Sequence, residues 1–430
     1  MTPGEPTTPR PGPRRSAPDT EVCVVGAGMA GLACALDLEA AGLEVTVLEA
    51  DDRPGGRVGG PPSGQDDLVL DRGFQILLTD YPELQRRVDL DALDLQAFDP
   101  GAQVWDGDRL RTVADPRRRP GAVLATSLAP VGSLADKARL LRLVLDVLRT
   151  PAPDLLSRPD GTTRAALADR GFSATMVERL WEPLFAGIQL DPDLEVSRRR
   201  FEVVLRCLAR GDSAVPAAGM QALPDQLAAR LAPGSLRLGA RATGIDRTTV
   251  TVADGSTVTA EQVVVAVEGP AAAALLTGVE DPGSRGVAAW WALAPEPPFT
   301  GRSIALDGVR GGPVKNVAVM TNVAPDYAPG RHLVVAAVPV GRGALPEDVE
   351  GPARAQLRGW FGPVVEDWET VRIDRIAHGQ PDQSPPLNPK QPVVLGDGRF
   401  VAGDHRDTAS IQGALFSGGR AAAAVLAGRT

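Results

Sequence analysis

Three glycines, Gly26, Gly28 and Gly31, stand as G-x-G-x-x-G in "CVVGAGMAGLACALDLEAAG". That spacing lets backbone turn tightly, lie against a pyrophosphate and pack a helix on a strand, in that order. Glu49 closes a second apolar run, "LEVTVLEA", at the distance expected of an acid that binds the hydroxyl pair of a ribose. Directly afterwards "RPGGR" supplies Gly55, Gly56 and Arg57: a loop that can lie flat on a ligand, and a cation that neutralises pyrophosphate. The chemistry implied is the holding of a mononucleotide or dinucleotide.

The elements around these residues agree with it. Val22 to Val25 is continuously apolar and β-branched, as a buried parallel strand is. A helix is expected from Met29 to Ala41, with Leu32 and Leu36 on one face and Gly42 just past its end. Its first turn would hold phosphate charge on free N–H groups. Ala30 in that turn and Ala50 beside Glu49 join the cofactor-binding set.

Bulk properties narrow the class. With 430 residues there is room for two domains, and a net charge of −9 argues against a nucleic-acid partner. No apolar run approaches the roughly 20 residues of a membrane span. Cys23, Cys34 and Cys207 fall in apolar patterns and read as buried thiols. His332, His378 and His405 make no metal motif, so no metal is expected. Residues 1–18 are rich in proline and polar residues and read as a disordered tail. Arg14-Arg15 is not followed by an apolar signal core, which makes the cytoplasm the expected location.

The glycines alone do not separate nicotinamide from flavin. "RPGGR" resembles the second fingerprint of the flavin-containing amine oxidase superfamily, which includes amine oxidases, protoporphyrinogen oxidases and carotenoid or squalene desaturases. "RFVAGD", ending in Gly403 and Asp404, and "SIQGALFSGGRAAAAVLAG" resemble its closing motif. "LRLGARATGIDRTTVTVADGSTVTAEQVVVAV", with a turn at Asp254-Gly255, resembles its middle return to the cofactor domain. The resemblance implies noncovalent FAD. Asp404 would meet the ribityl or pyrophosphate region, the Ile411-Gln412-Gly413 backbone the pyrimidine edge, and the strand entering at Ala242 the adenine. "VLDRGFQILLTDYPELQRRVD" resembles the passage to the substrate side, placing Gly73, Phe74, Gln75 and Ile76 near the isoalloxazine. Core packing explains Phe74 and Ile76 equally well.

The implied fold is α/β: a discontinuous Rossmann-like FAD-binding domain (19–75, 214–285, 391–430) with an inserted α+β substrate-binding domain (76–213, 286–390). Residues 133–149 form an amphipathic pattern, with Leu134, Leu141, Leu145 and Leu148 on one side. It reads first as a helix covering the lobe's core, and second as an interfacial helix over a lipid-substrate mouth, which leaves peripheral membrane contact open.

Amine oxidases of the superfamily usually carry a lysine bridged through water to the flavin N5. The best-matching strand, "RGVAAWWALAP", has Ala288 or Ala289 there, and only Lys137, Lys315 and Lys390 exist. The aromatic cage is missing too, with Tyr81 and Tyr327 the only tyrosines. Trp291 could wall the pocket, although aromatics in a strand more often pack. The reading is an FAD-dependent oxidoreductase dehydrogenating a largely apolar small molecule by hydride transfer, of the desaturase or protoporphyrinogen-oxidase type, reoxidised by oxygen or a quinone-like carrier. The catalytic residues stay unassigned, with Phe74, Gln75, Ile76 and Trp291 as pocket candidates. The alternatives are a peroxide-producing amine or amino-acid oxidase and a non-catalytic lipid carrier of the same fold.

Overall fold

A computed structural model describes residues 18–60 and 67–429. The tail expected at 1–18 lies, apart from Pro18, outside the described residues.

The run "TEVCVV" forms the strand Thr20–Val25, and the helix Met29–Ala40 follows the glycine turn. Thr20–Val25 pairs in parallel with Val45–Leu48 on one side and with Thr257–Val265 on the other. Arg399–Val401 adds in parallel to the outer side of Thr257–Val265, and Leu236–Arg237 to that of Val45–Leu48. Distant stretches of chain thus build one sheet, whose central strands are buried on both faces. The Asp254-Gly255 turn forms as read: Gly255 has φ +87°, and the strands Thr249–Val252 and Thr257–Val265 are antiparallel.

A second, mixed sheet of seven strands has the long hairpin-like trio Glu369–Pro381, Ser284–Ala294 and His332–Gly341 at one end. Its other end is made of Ile304–Asp307, Gly101–Trp105 and Leu110–Ala114. The helix Glu182–Gln189 packs on its strands Ile304–Asp307, Asn316–Val319 and His332–Gly341, and the helix Val123–Leu128 on Leu110–Ala114.

The helix expected at 133–149 spans Leu134–Arg149, opened by a capping box in which Ser133 and Asp136 satisfy each other's backbone N–H. Its inward face differs from the expected leucine side. Leu143 and Val147 are buried, whereas Leu134 is 73% and Leu141 44% exposed. The cause is Asp136, fully buried and accepting from the Ser133 and Ser173 backbones and hydroxyls, which turns that stripe inward.

The helix Ile411–Ala427 lies against the first helix. A Cβ on Gly418 would stand 2.2 Å from the Ala30 carbonyl oxygen, and one on Gly31 would stand 1.9 Å from that of Gly26. Bare backbone is needed at both. Gly418→Val is therefore expected to destabilise the fold by about 1–3 kcal/mol through overpacking, seen as a lower urea midpoint at unchanged slope.

Candidate functional site

The first and last segments meet at the carboxyl ends of the parallel strands. Gly26 turns with φ +101°, its N–H donating to the Leu48 carbonyl. Glu49 is buried, with one carboxylate oxygen accepting from Ala27 N–H (2.7 Å) and the other from Asp51 N–H (2.9 Å). The acid is thereby fixed at the wall of the cleft. The Gly55 N–H donates to the Ala27 carbonyl (2.9 Å), laying the second glycine loop beside the first. No atom would crowd a Cβ on Gly28 within 4 Å, so open space faces it, and Gly28 lines the cleft.

Arg57 reaches across the chain to Asp404 at 2.7 Å and also donates to the Gly379 carbonyl. Asp404 is buried, while Arg57 keeps 26% of its side-chain surface open and lines the cleft. Burial alone would push the carboxyl up and the guanidinium down. Their mutual attraction outweighs both, holding Asp404 below the usual carboxylate range and Arg57 above its ordinary value. Two imidazoles lie nearby. Burial lowers both, His405 to about 4, so they are neutral at pH 7. Both ring nitrogens of His405 are buried without a hydrogen-bond partner among the described residues.

One cavity of about 930 Å³ runs from this cleft to the seven-stranded sheet and the helices Leu134–Arg149 and Arg198–Arg210. Gly26, Gly28, Ala30, Glu49, Ala50, Gly56, Arg57, Gly73, Phe74, Ala242, Gly403, Asp404 and Ile411 line it, as do Gln75 and Ile76. Four expected residues do not. Gly31 packs beneath the turn. The Gln412 side chain accepts from Glu83 N–H instead. The Gly413 N–H is taken by the capping hydroxyl of Ser410 at 3.0 Å, which leaves the Ile411 and Gln412 N–H groups without a partner among the described residues. Trp291, expected as a pocket wall, is fully buried and donates its ring N–H to Asp374. Strand alternation sets it on the same face as Val287, which lines the cavity, but the Asp374 carboxylate that accepts its ring N–H also accepts from the Gly73 N–H and holds it behind the Gly73 loop.

The loop carrying Gly73 to Ile76 is buttressed from behind. The Gln75 amide donates to the carbonyls of Arg57, Gly59 and Arg72, so its role is to tie that loop to the glycine loop. The Gly73 N–H donates to Asp374, and Asp71 accepts from the Met220 N–H and the Tyr327 hydroxyl. Arg200, Tyr81, Gln380 and Asn316 also line the cavity and add polar groups to a largely aliphatic wall. Sequence reasoning missed them, because none stands in a motif; Arg200, for one, is the last of three successive arginines. Lys137 is the only lysine lining the cavity, and its ammonium is spent on the Ser127 and Ala129 carbonyls.

The residues fit FAD. They offer bare backbone at two glycine loops, a fixed acid, an open-sided arginine, and a helix N-terminus with two free donors.

Two predictions test this geometry. Asp404→Ala leaves the half-buried Arg57 without its carboxylate, so a loss of about 1–3 kcal/mol is expected, with weaker FAD retention by visible absorbance. Burial pushes the Asp71 carboxyl up to about 6, against about 3.9 when unfolded. Between those values the native chain holds a proton that the unfolded chain releases, so stability falls as pH rises from 4 to 6 and is flat above. Asp71→Asn is expected to remove a decline of about 2–3 kcal/mol, measured by urea unfolding across that window.

Known proteins support the same assignment. The family model for flavin containing amine oxidoreductase matches residues 29–426. Hydroxysqualene dehydroxylase of Rhodopseudomonas palustris is 29% identical over 94% of this chain and 98% of its own. Phytoene dehydrogenase of Streptomyces griseus is 32% identical, over 60% of this chain and 56% of its own. The crystal structure of a protoporphyrinogen oxidase homologue from Exiguobacterium superposes with a TM-score of 0.70 at 19% identity, covering 95% of this chain and 98% of that one. The chain belongs to the flavin-containing amine oxidoreductase family and is an FAD-dependent oxidoreductase.

Proposed function

We propose that the protein oxidises or reduces a long, largely apolar isoprenoid-like molecule at a carbon held against the flavin. The observation that carries this reading is the cavity itself, which continues from the cofactor cleft between aliphatic walls such as Leu140, Val144, Leu184, Ile188 and Leu208. FAD, when bound, supplies a two-electron acceptor or donor, so the protein needs no strong base of its own. Glu49 and Arg57 would hold the cofactor, the Gly73–Ile76 loop would set the reacting end, and the aliphatic walls would exclude water and orient a C–H bond. The relatives that act on hydroxysqualene and phytoene favour this substrate class. In the domain division that follows, residues 19–75, 214–285 and 391–430 carry the cofactor, and 76–213 and 286–390 carry the substrate.

The far mouth of the cavity fits a membrane surface. Of the eight exposed large hydrophobic residues among the described residues, five (Val123, Leu124, Leu128, Leu134 and Leu141) cluster on the two helices there, Val123–Leu128 and Leu134–Arg149. Arg117, Arg118 and Arg119, each paired with an acid, are separated from the first of them by residues 120–122, and Arg142 is exposed beside Leu141. Apolar side chains rimmed by cations suit an anionic bilayer, from which an insoluble substrate could enter the cavity directly. No helix among the described residues is long and apolar enough to cross a membrane.

Anaerobic mixing of the holoenzyme with phytoene-like, hydroxysqualene-like, porphyrinogen and amine substrates tests the chemistry. Bleaching of oxidised flavin by an apolar substrate, or reoxidation of reduced flavin by hydroxysqualene, is expected; reduction by amines alone overturns the reading. For the mouth, Leu124→Asp/Leu128→Asp is expected to weaken binding to phosphatidylglycerol vesicles by about tenfold or more in co-sedimentation.

A further inference from the structure

Arg200, in the helix Arg198–Arg210, is only 2% exposed and touches the cavity wall. One terminal nitrogen donates to the Gln380 side chain and to the Ala409 carbonyl (2.8 Å). Its Nε and other terminal nitrogen are buried and unpartnered among the described residues. No carboxylate among the described residues pairs with it. The acids whose fields reach it are Tyr81, whose phenol burial keeps neutral, Asp404, held by Arg57 at 2.7 Å, and Asp191, held by Arg285 at 2.8 Å. Arg285 and Arg87, also buried, each pair with two carboxylates. A buried cation left this open is costly unless negative charge arrives nearby.

Its location says which charge. Ala409 directly precedes Ser410, the cap of the closing helix, so Arg200 adds a full positive charge to the positive end of that helix. We propose that Arg200 is a positioning charge for cofactor reduction, stabilising the reduced, anionic flavin over the oxidised form and so raising the reduction potential. Hydride transfer delivers two electrons and one proton, which leaves one negative charge on a neutral isoalloxazine. In a dry site that charge and the guanidinium attract far more strongly than in water. The inference rests on FAD as the cofactor and is independent of the substrate.

The test is the two-electron midpoint potential of the FAD-loaded protein, without substrate, by dye-coupled anaerobic reduction. Arg200→Met is expected to reduce the preference for reduced over oxidised flavin at least tenfold, a fall of about 30 mV. Arg200→Lys, which keeps the charge, is expected to restore most of it. Gln380→Glu sets a carboxylate against the guanidinium, and is expected to lower the potential in the same direction should Arg200→Met fail to retain FAD. Potentials unchanged in Arg200→Met, or in Gln380→Glu where that variant carries the test, overturn the proposal. An unchanged potential with weakened binding of an oxygen-bearing substrate would assign the charge to the substrate instead.

Discussion

The contact between Arg57 and Asp404 joins residues 347 positions apart, and the architecture of the site depends on it. Each charge alone would be expensive in that place, and together they hold each other ionised. The pair fixes the second glycine loop against the strand-to-helix turn after Arg399–Val401. Through the Gly379 carbonyl it also reaches the long strand Glu369–Pro381 of the other sheet. One guanidinium therefore connects both termini of the cofactor cleft to the lobe that walls the cavity.

Around that pair the structure combines two kinds of surface. The cofactor end is built of backbone made accessible by glycine, with few side chains and fixed charges. The inner end is built of aliphatic side chains from helices and from the seven-stranded sheet. The change from one to the other occurs at Gly73–Ile76, a loop pinned by hydrogen bonds from behind by Gln75 and Asp374. Such a boundary suits chemistry in which the cofactor carries the electrons and the protein supplies position and dryness.

The helical cover of the lobe shows how a polar residue can override a hydrophobic pattern. Asp136 collects four hydrogen bonds from Ser133 and Ser173 and takes the inward position. Leu134 and Leu141, which periodicity alone would bury, face outward. Carboxylate satisfaction set the helix's rotation, and the leucines were left to form the rim of the mouth.

The sequence by itself determined the cofactor end. Glycine spacing, a strand-terminal acid and an arginine after two glycines are local patterns, and each dictates its own backbone geometry without reference to the rest of the chain. The strands and helices at 20–48, the Asp254-Gly255 turn and the closing helix were legible for that reason. Only the tertiary structure decided the reacting end. Trp291 went to the core because the Asp374 carboxylate ties it behind the distant Gly73 loop, and Gly413 lost its free N–H to a cap one turn away. Arg200 and Gln380 gained meaning only through a meeting across 180 positions, and no local pattern encodes which distant residue will neutralise a charge or leave it open.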